Sequence, residues 1–301
     1  MHQMKFDGLL RTTLILGNGF DIDLGLQTKF IDFINSKYFE DQTDNKLINY
    51  LKTFKDLDWV DIELKLAKYG EPGSSWTNLK AEYLDLKQRL CDYLSDQKRM
   101  KQNYSESISY HLIENVVKSS LDLNIVNYNY TDIAHWLIQL LEKDGLNVSK
   151  CKIHHIHGSL KNDNIIFGVH DKQGLINPKY SFLRKSSQDH YGKVKSNEFI
   201  DSSERVIVFG HSLGETDQNF FSKFFDTCTS KMVHIYHYDD IDNLTERLDV
   251  LTNSSLGDFK SNNNFEQINS KKISLKELKE LYHQRPKYKA VDIFPSKNLN
   301  Y

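Results

Sequence analysis

The sequence predicts an α/β protein with a mostly parallel sheet and a helical insertion, and three observations carry that reading. Short β-rich runs recur along the 301 residues, and several are apolar on both faces, the pattern of parallel strands covered by helices. Segments with helical spacing alternate with these runs. A long charged stretch between the first two runs also has apolar residues at helical intervals. In such sheets the ligand site lies beyond the C-terminal strand ends.

The first run, TTLILG (12–17), leads into Gly17-Asn18-Gly19-Phe20-Asp21. A buried strand that breaks on glycines and opens a helix brings backbone N–H groups close to whatever binds there, which suits phosphates. Asp21 and Asp23 beside it favour a ribose hydroxyl or a cation over a bare phosphate. The plainer alternative is a tight strand-to-helix corner. A dinucleotide fingerprint would need a third glycine where Ile22 stands, and an acid ending a second strand about twenty residues on. Glu40 has that spacing, but Phe30, Phe33, Ile34 and Tyr38 give its segment a helical period. An ordinary dehydrogenase site is not expected.

The insertion spans 30–118, with helices predicted from Trp59 to Tyr69, Trp76 to Leu94 and Tyr104 to Val117. Asp58 and Asp61 have the spacing of a capping box. Glu63 does not share a face with Asp61, and its alternative to a role in that first turn is to face the cleft. The second strand, NIVNY (124–128), runs into Asn127-Tyr128-Asn129-Tyr130-Thr131-Asp132. Its amides can orient sugar hydroxyls or a water without carrying charge, or else complete a turn, with Thr131 or Asp132 capping the helix IAHWLIQLLEK.

The third strand, KIHHI (152–156), reaches Ile156-His157-Gly158-Ser159-Leu160. Alternation places His155 and His157 on one face and His154 on the other. No HExxH or similar spacing supplies a metal set, so no metal is expected. His157 is the general-base candidate, against the alternative of a satisfied structural histidine. NIIFG (164–168) reads as a further strand.

RVIVFG (205–210) ends in Gly210-His211-Ser212-Leu213-Gly214, a literal GxSxG in a strand–turn–helix context. A serine hydrolase would need Asp239 or Asp240 and His283 to complete its triad, and would leave the glycine turn and the Asn127–Thr131 motif without a role. Ser212, with Glu215 and Asp217 opening the next helix, can equally hold a ribose or a phosphate. The helix QNFFSKFFDTC, the strand VHIYHY (233–238) and a helix after Asn243 follow. Residues 253–273, rich in Asn, Ser and Lys, read as a loop. LKELKELYH reads as a short helix and 285–301, with Pro286 and Pro295, as a tail. The reading is a single domain over 1–301.

Charged residues are 27% and hydrophobic ones 39%, a globular and not a disordered composition. The net charge of −2 argues against a whole-protein grip on nucleic acid. Three cysteines without CxxC spacing fit a reducing compartment and exclude a thiolate zinc site. No run approaches the roughly twenty apolar residues of a membrane span, and MHQMKFDG has no apolar signal core. A cytoplasmic location is expected.

Taken in order, Gly17–Asp21 with Gly25-Leu26, Trp59-Val60-Asp61-Ile62-Glu63, Asn127–Thr131, Ile156–Leu160 and Gly210–Asp217 resemble the bacteriophage abortive-infection AbiH family. That family in turn is similar, more distantly, to the sirtuin-like, Rossmann-like NAD-binding fold. Gly17–Asp21 stands where sirtuins have GAG-[IF]-S, and Gly25-Leu26-Gln27 where they have GIP. Asn129 falls on their catalytic asparagine, His157-Gly158 on their HG and Gly210–Leu213 on their GTSL. Asp21 replaces a serine, Thr131 replaces an aspartate, and the four-cysteine zinc module is absent. The resemblance therefore points away from deacetylation and towards the sirtuin-like phage-defence enzymes that hydrolyse NAD.

What it implies is an anti-phage effector that binds NAD or a related nucleotide as substrate, with no separate cofactor. Asn129 and His157 would be catalytic. Gly17, Asn18, Gly19, Phe20, Asp21, Thr131, Gly210, Ser212 and Asp217 would bind the nucleotide. Nicotinamide leaves NAD as a neutral ring, so the paired carboxylates of ordinary glycosidases are unnecessary. A shaped pocket, an orienting amide and a base suffice. A phage-derived trigger, a partner defence protein and homo-oligomerisation belong to the same expectation; a membrane or nucleic-acid partner does not. The alternatives are a nucleotide-binding sensor or switch without turnover, and a nuclease-type effector in which Asp21, Asp23, Glu63 and Asp217 converge on a metal.

Overall fold

The computed structural model describes residues 9–40, 44–54, 59–71, 77–97, 104–169, 177–192, 196–214, 218–238, 241–253 and 255–283. Six strands form one sheet: β1 Leu10–Leu16, β2 Ser120–Asn127, β3 Cys151–His155, β4 Arg205–Phe209, β5 Met232–His237 and β6 Asn264–Asn269. Their order is β3-β2-β1-β4-β5-β6, and every pairing is parallel. The Rossmann-like α/β fold expected from the sequence is present.

The chain builds outward from β1 to β3 on one side, then crosses back to start β4 on the other. The point of reversal lies at β1, and there an open α/β sheet leaves a crevice beyond its C-terminal edge. Register makes that edge even. Leu16 pairs with both Asn127 and Phe209, and Asn127 pairs with His155. The residues that follow these four strands therefore emerge side by side.

Period-two alternation sends successive side chains to opposite faces. Leu14, Leu16, Leu123, Ile125, Ile207 and Phe209 pack under helices Ile108–Ser119, Ile133–Lys143 and Leu275–His283. Ile15, Val126, Val206, Val208, Val233 and Ile235 pack against the other face, with Phe221, Phe224, Leu244, Leu248 and Phe259 from the later helices. Helix Ile133–Lys143 shows the cause: Ile133, Ala134, Leu137, Ile138 and Leu141 recur at helical spacing and are all buried. Ser107 caps Ile108–Ser119 by accepting the Tyr110 N–H.

A third apolar cluster gathers Phe30, Phe33, Phe39, Leu47, Ile48, Ile62, Leu66, Leu86 and Leu90. Helices Trp59–Tyr69 and Leu79–Asp96 belong to it, whereas Ile108–Ser119 returns to the sheet. Trp76 and Asp58 lie outside the described residues, as do the side chain of Asp61 and the tail 285–301.

Two expectations are corrected. Residues 164–168 are not a strand. Ile165 and Phe167 are apolar because they plug the third cluster, with Tyr83 donating from its hydroxyl to the Phe167 carbonyl. Residues 253–273 are not one loop: they contain helix Leu256–Asn262 and β6. That edge strand is polar and half open to water, so it lacks the apolar signature of its neighbours. Among the described residues, no helix is long and apolar enough to cross a membrane.

Candidate functional site

At the C-terminal edge the loops after β1 and β4 interlock. The Gly17 N–H donates to the Phe209 carbonyl at 3.0 Å, and the Gly19 N–H to the Gly210 carbonyl at 2.8 Å. A Cβ on Gly17 would stand 2.5 Å from the His211 Cα. One on Gly210, whose φ is +68°, would stand 2.4 Å from the Phe20 nitrogen. The close approach these glycines permit is thus between two protein loops, and two N–H groups expected to face a phosphate are bonded within the protein. Gly17, Asn18, Gly19 and Gly210 still line a cleft of about 300 Å³.

Asp21 lies at the floor of that cleft, only 1% exposed. Its Oδ1 accepts from Asn129 Nδ2 at 2.9 Å and its Oδ2 from the Thr131 hydroxyl at 2.6 Å. Burial pushes its pKa up to about 7, against the opposing pull of the Thr131 and Asn129 hydrogen bonds. Asn129 Nδ2 also donates to the Gly17 carbonyl at 3.0 Å, so this amide ties the β2 loop to the β1 loop. The Asn129 N–H in turn donates to Asn127 Oδ1 at 3.0 Å. Neither capping alternative applies: Thr131 donates to Asp21, and Asp132 makes no side-chain cap and accepts from the Lys161 N–H instead.

His157 follows β3 and lines the cleft. The strand ends at His155, so alternation does not extend to His157. His154 stacks on Phe199 at 4.1 Å, while His155 Nδ1 faces the Asn129 carbonyl at 3.1 Å; burial lowers the pKa of both. Gly158, at φ +72°, turns the chain sharply after His157. The Tyr128 ring stands edge-on between two imidazoles, 5.3 Å from His157 and 4.6 Å from His211. His211 Nδ1 accepts the Leu213 N–H at 3.0 Å.

Five nucleotide-binding or catalytic candidates from four segments, Gly17, Asp21, Asn129, His157 and Ser212, line this one cleft, with Asn18, Gly19, Thr131 and Gly210. Phe20 does not. It is fully buried beneath the sheet, edge-on to Phe209 at 6.4 Å, because the first helical turn points it inward. Asp23 faces away as well, accepting the Ser109 N–H at 2.7 Å at the start of another helix. Asp217 lies outside the described residues. Tyr282, the residue before His283, packs 5.0 Å from the Arg205 guanidinium at the N-terminal ends of the strands, opposite Ser212.

The sequence reading did not single out Lys185, Thr28 or Leu94, which also line the cleft. Lys185 Nζ lies 2.5 Å from Glu63 Oε1, and both side chains are buried. Thr28 gives its hydroxyl proton to Asn18 Oδ1 at 2.6 Å. No local pattern marks Lys185, which acquires its place from Glu63, far away in the chain. Among the described residues, no three His, Cys, Asp or Glu side chains are grouped to hold a metal ion.

Residues 13–123 and 108–239 match the model of a family described as Bacteriophage abortive infection AbiH. No curated protein matches the chain.

Proposed function

The chain belongs to the bacteriophage abortive infection AbiH family, and from that premise we propose that its cleft binds NAD or a related nucleotide and hydrolyses the N-glycosidic bond as the effector step of phage defence. The observation that carries this reading is the meeting of Asp21, Asn129, Thr131 and His157 in one cleft at the reversal point of the sheet.

In the proposed reaction a water attacks the ribosyl C1′ and gives its proton to His157. The C–N bond breaks with its electron pair going to nicotinamide, which leaves neutral and needs no acid. Asn129 uses Nδ2 to hold the loops, and its Oδ1 orients a ribose hydroxyl or the water. Tyr128 and Tyr130 supply flat apolar surface for a ring. Sirtuin-like chemistry of this kind is what the order of the motifs supports.

A second reading, a nucleotide-binding sensor without turnover, draws on a separate observation. The Gly17, Gly19 and Asn129 donors are bonded within the protein, as befits a rigid binding cleft.

NAD content in infected cells carrying wild type or His157→Ala separates the two. Hydrolysis predicts a fall in NAD during defence by the wild type and none in the variant. Steady NAD during effective defence leaves the sensor.

A further inference from the structure

One wall of the cleft has no part in the chemistry above. It is built by Glu63, from helix Trp59–Tyr69, and Lys185, which opens the turn Lys185–Ser187. Each is held from behind. Ile62 and Leu66 anchor Glu63 in the third apolar cluster, and the Lys185 N–H donates to the Val169 carbonyl at 2.9 Å. A buried ion pair is weak support for a fold, because desolvation offsets its attraction. Its place in the wall of a cleft asks for a reason connected with what enters.

The charges of the wall point to that reason. Among the described residues that line the cleft, Lys185 is the only lysine or arginine, and Glu63 lies against it at 2.5 Å. The other carboxyl is Asp21. The Gly17 and Gly19 N–H groups donate to Phe209 and Gly210. Lys185 and Glu63 offset each other and Asp21 adds no positive charge, so the described wall is neutral to negative and favours a cation over a phosphate in a place where water screens poorly.

We propose that Glu63 faces the cationic ring of an N-ribosyl pyridinium, the nicotinamide end of oxidised NAD, and that Lys185 is a positioning residue that holds this carboxylate. The pair makes the cleft select oxidised over reduced nicotinamide nucleotides, whose rings differ by one positive charge. This rests on the reading of the ligand as a nicotinamide nucleotide.

The test is equilibrium titration of the whole protein with NAD+, NADH and ADP-ribose, in a His157→Ala background that stops turnover. The parent should bind NAD+ about tenfold more tightly than NADH, and Glu63→Gln should bring that ratio close to one while leaving ADP-ribose binding within about twofold. Glu63→Gln removes one charge of the pair and keeps the other, so Glu63→Gln/Lys185→Met is made alongside it; with both charges gone it should melt like the parent and also fail to discriminate. Equal binding of NAD+ and NADH by the parent, or a tenfold preference that survives in either variant, overturns the role of Glu63 and leaves the nucleotide reading standing. A parent that binds none of the three ligands overturns both.

Discussion

The Asp21 carboxylate accepts the Thr131 hydroxyl at 2.6 Å while standing almost wholly out of water at the floor of the cleft. An acid in that position is poised between two states. Burial favours the neutral form, and the donated hydrogen bonds favour the ionised one.

Asp21 should make stability fall as pH rises. Its folded pKa of about 7 lies above the ordinary value of 3.8, so its contribution is complete below pH 4 and is lost by the time the pH passes 7. Asp21→Asn keeps the shape and removes the titration. Relative to wild type, the variant should gain on the order of 3–4 kcal/mol between pH 4 and pH 8. Calorimetric melting of both proteins across that range checks it, and parallel curves would contradict it.

Thr131→Val deletes a donor to the ionised carboxylate and keeps the side-chain volume. The loss should therefore depend on pH: about 1–3 kcal/mol at pH 8, and smaller at pH 5, where Asp21 is protonated. Denaturant midpoints at the two pH values are the measurement.

Asn129 and His157 should separate on stability even where both abolish activity. Asn129→Ala removes two hydrogen bonds and leaves the Gly17 carbonyl and Asp21 short of a partner, so it should cost about 2–3 kcal/mol. His157→Ala should abolish nicotinamide release with a melting temperature close to wild type. A stable Asn129→Ala protein would show that the amide does not brace the two loops.

The strands of the sheet's centre were legible because burial on both faces demands continuous apolar runs, as in RVIVF (205–209). Edge strand β6 was not, since NFEQIN lies half in water and needs no such run. Ile165 and Phe167 misled for the converse reason: apolar residues answer to burial, and burial here comes from helices and not from a ladder. In the site, residues that directly follow strands could be found by counting along the chain. Lys185 could not, because its significance arises only from Glu63, which lies across a fold that local spacing does not encode.

Gly210→Ala should be far more damaging than Gly145→Ala, although both positions have positive φ. At Gly145 a Cβ meets nothing within 4 Å, leaving only a backbone penalty of roughly 1–2 kcal/mol. At Gly210 the same methyl strikes the Phe20 nitrogen and the Gly19 backbone, and a loss of about 3 kcal/mol or more is expected together with loss of ligand binding. Urea titration of the two variants decides it.

The interlock of Gly17 with the Gly210 loop also has a consequence for synthesis. The two loops are roughly 190 residues apart, and domains fold as their segments leave the ribosome. A nascent chain that already displays Gly17, Asn129 and His157 still lacks the backbone against which the first glycine turn closes. The cleft has one side missing until the fourth strand is made, so a chain cut short before that strand cannot complete it. Delay is built into the order of the strands.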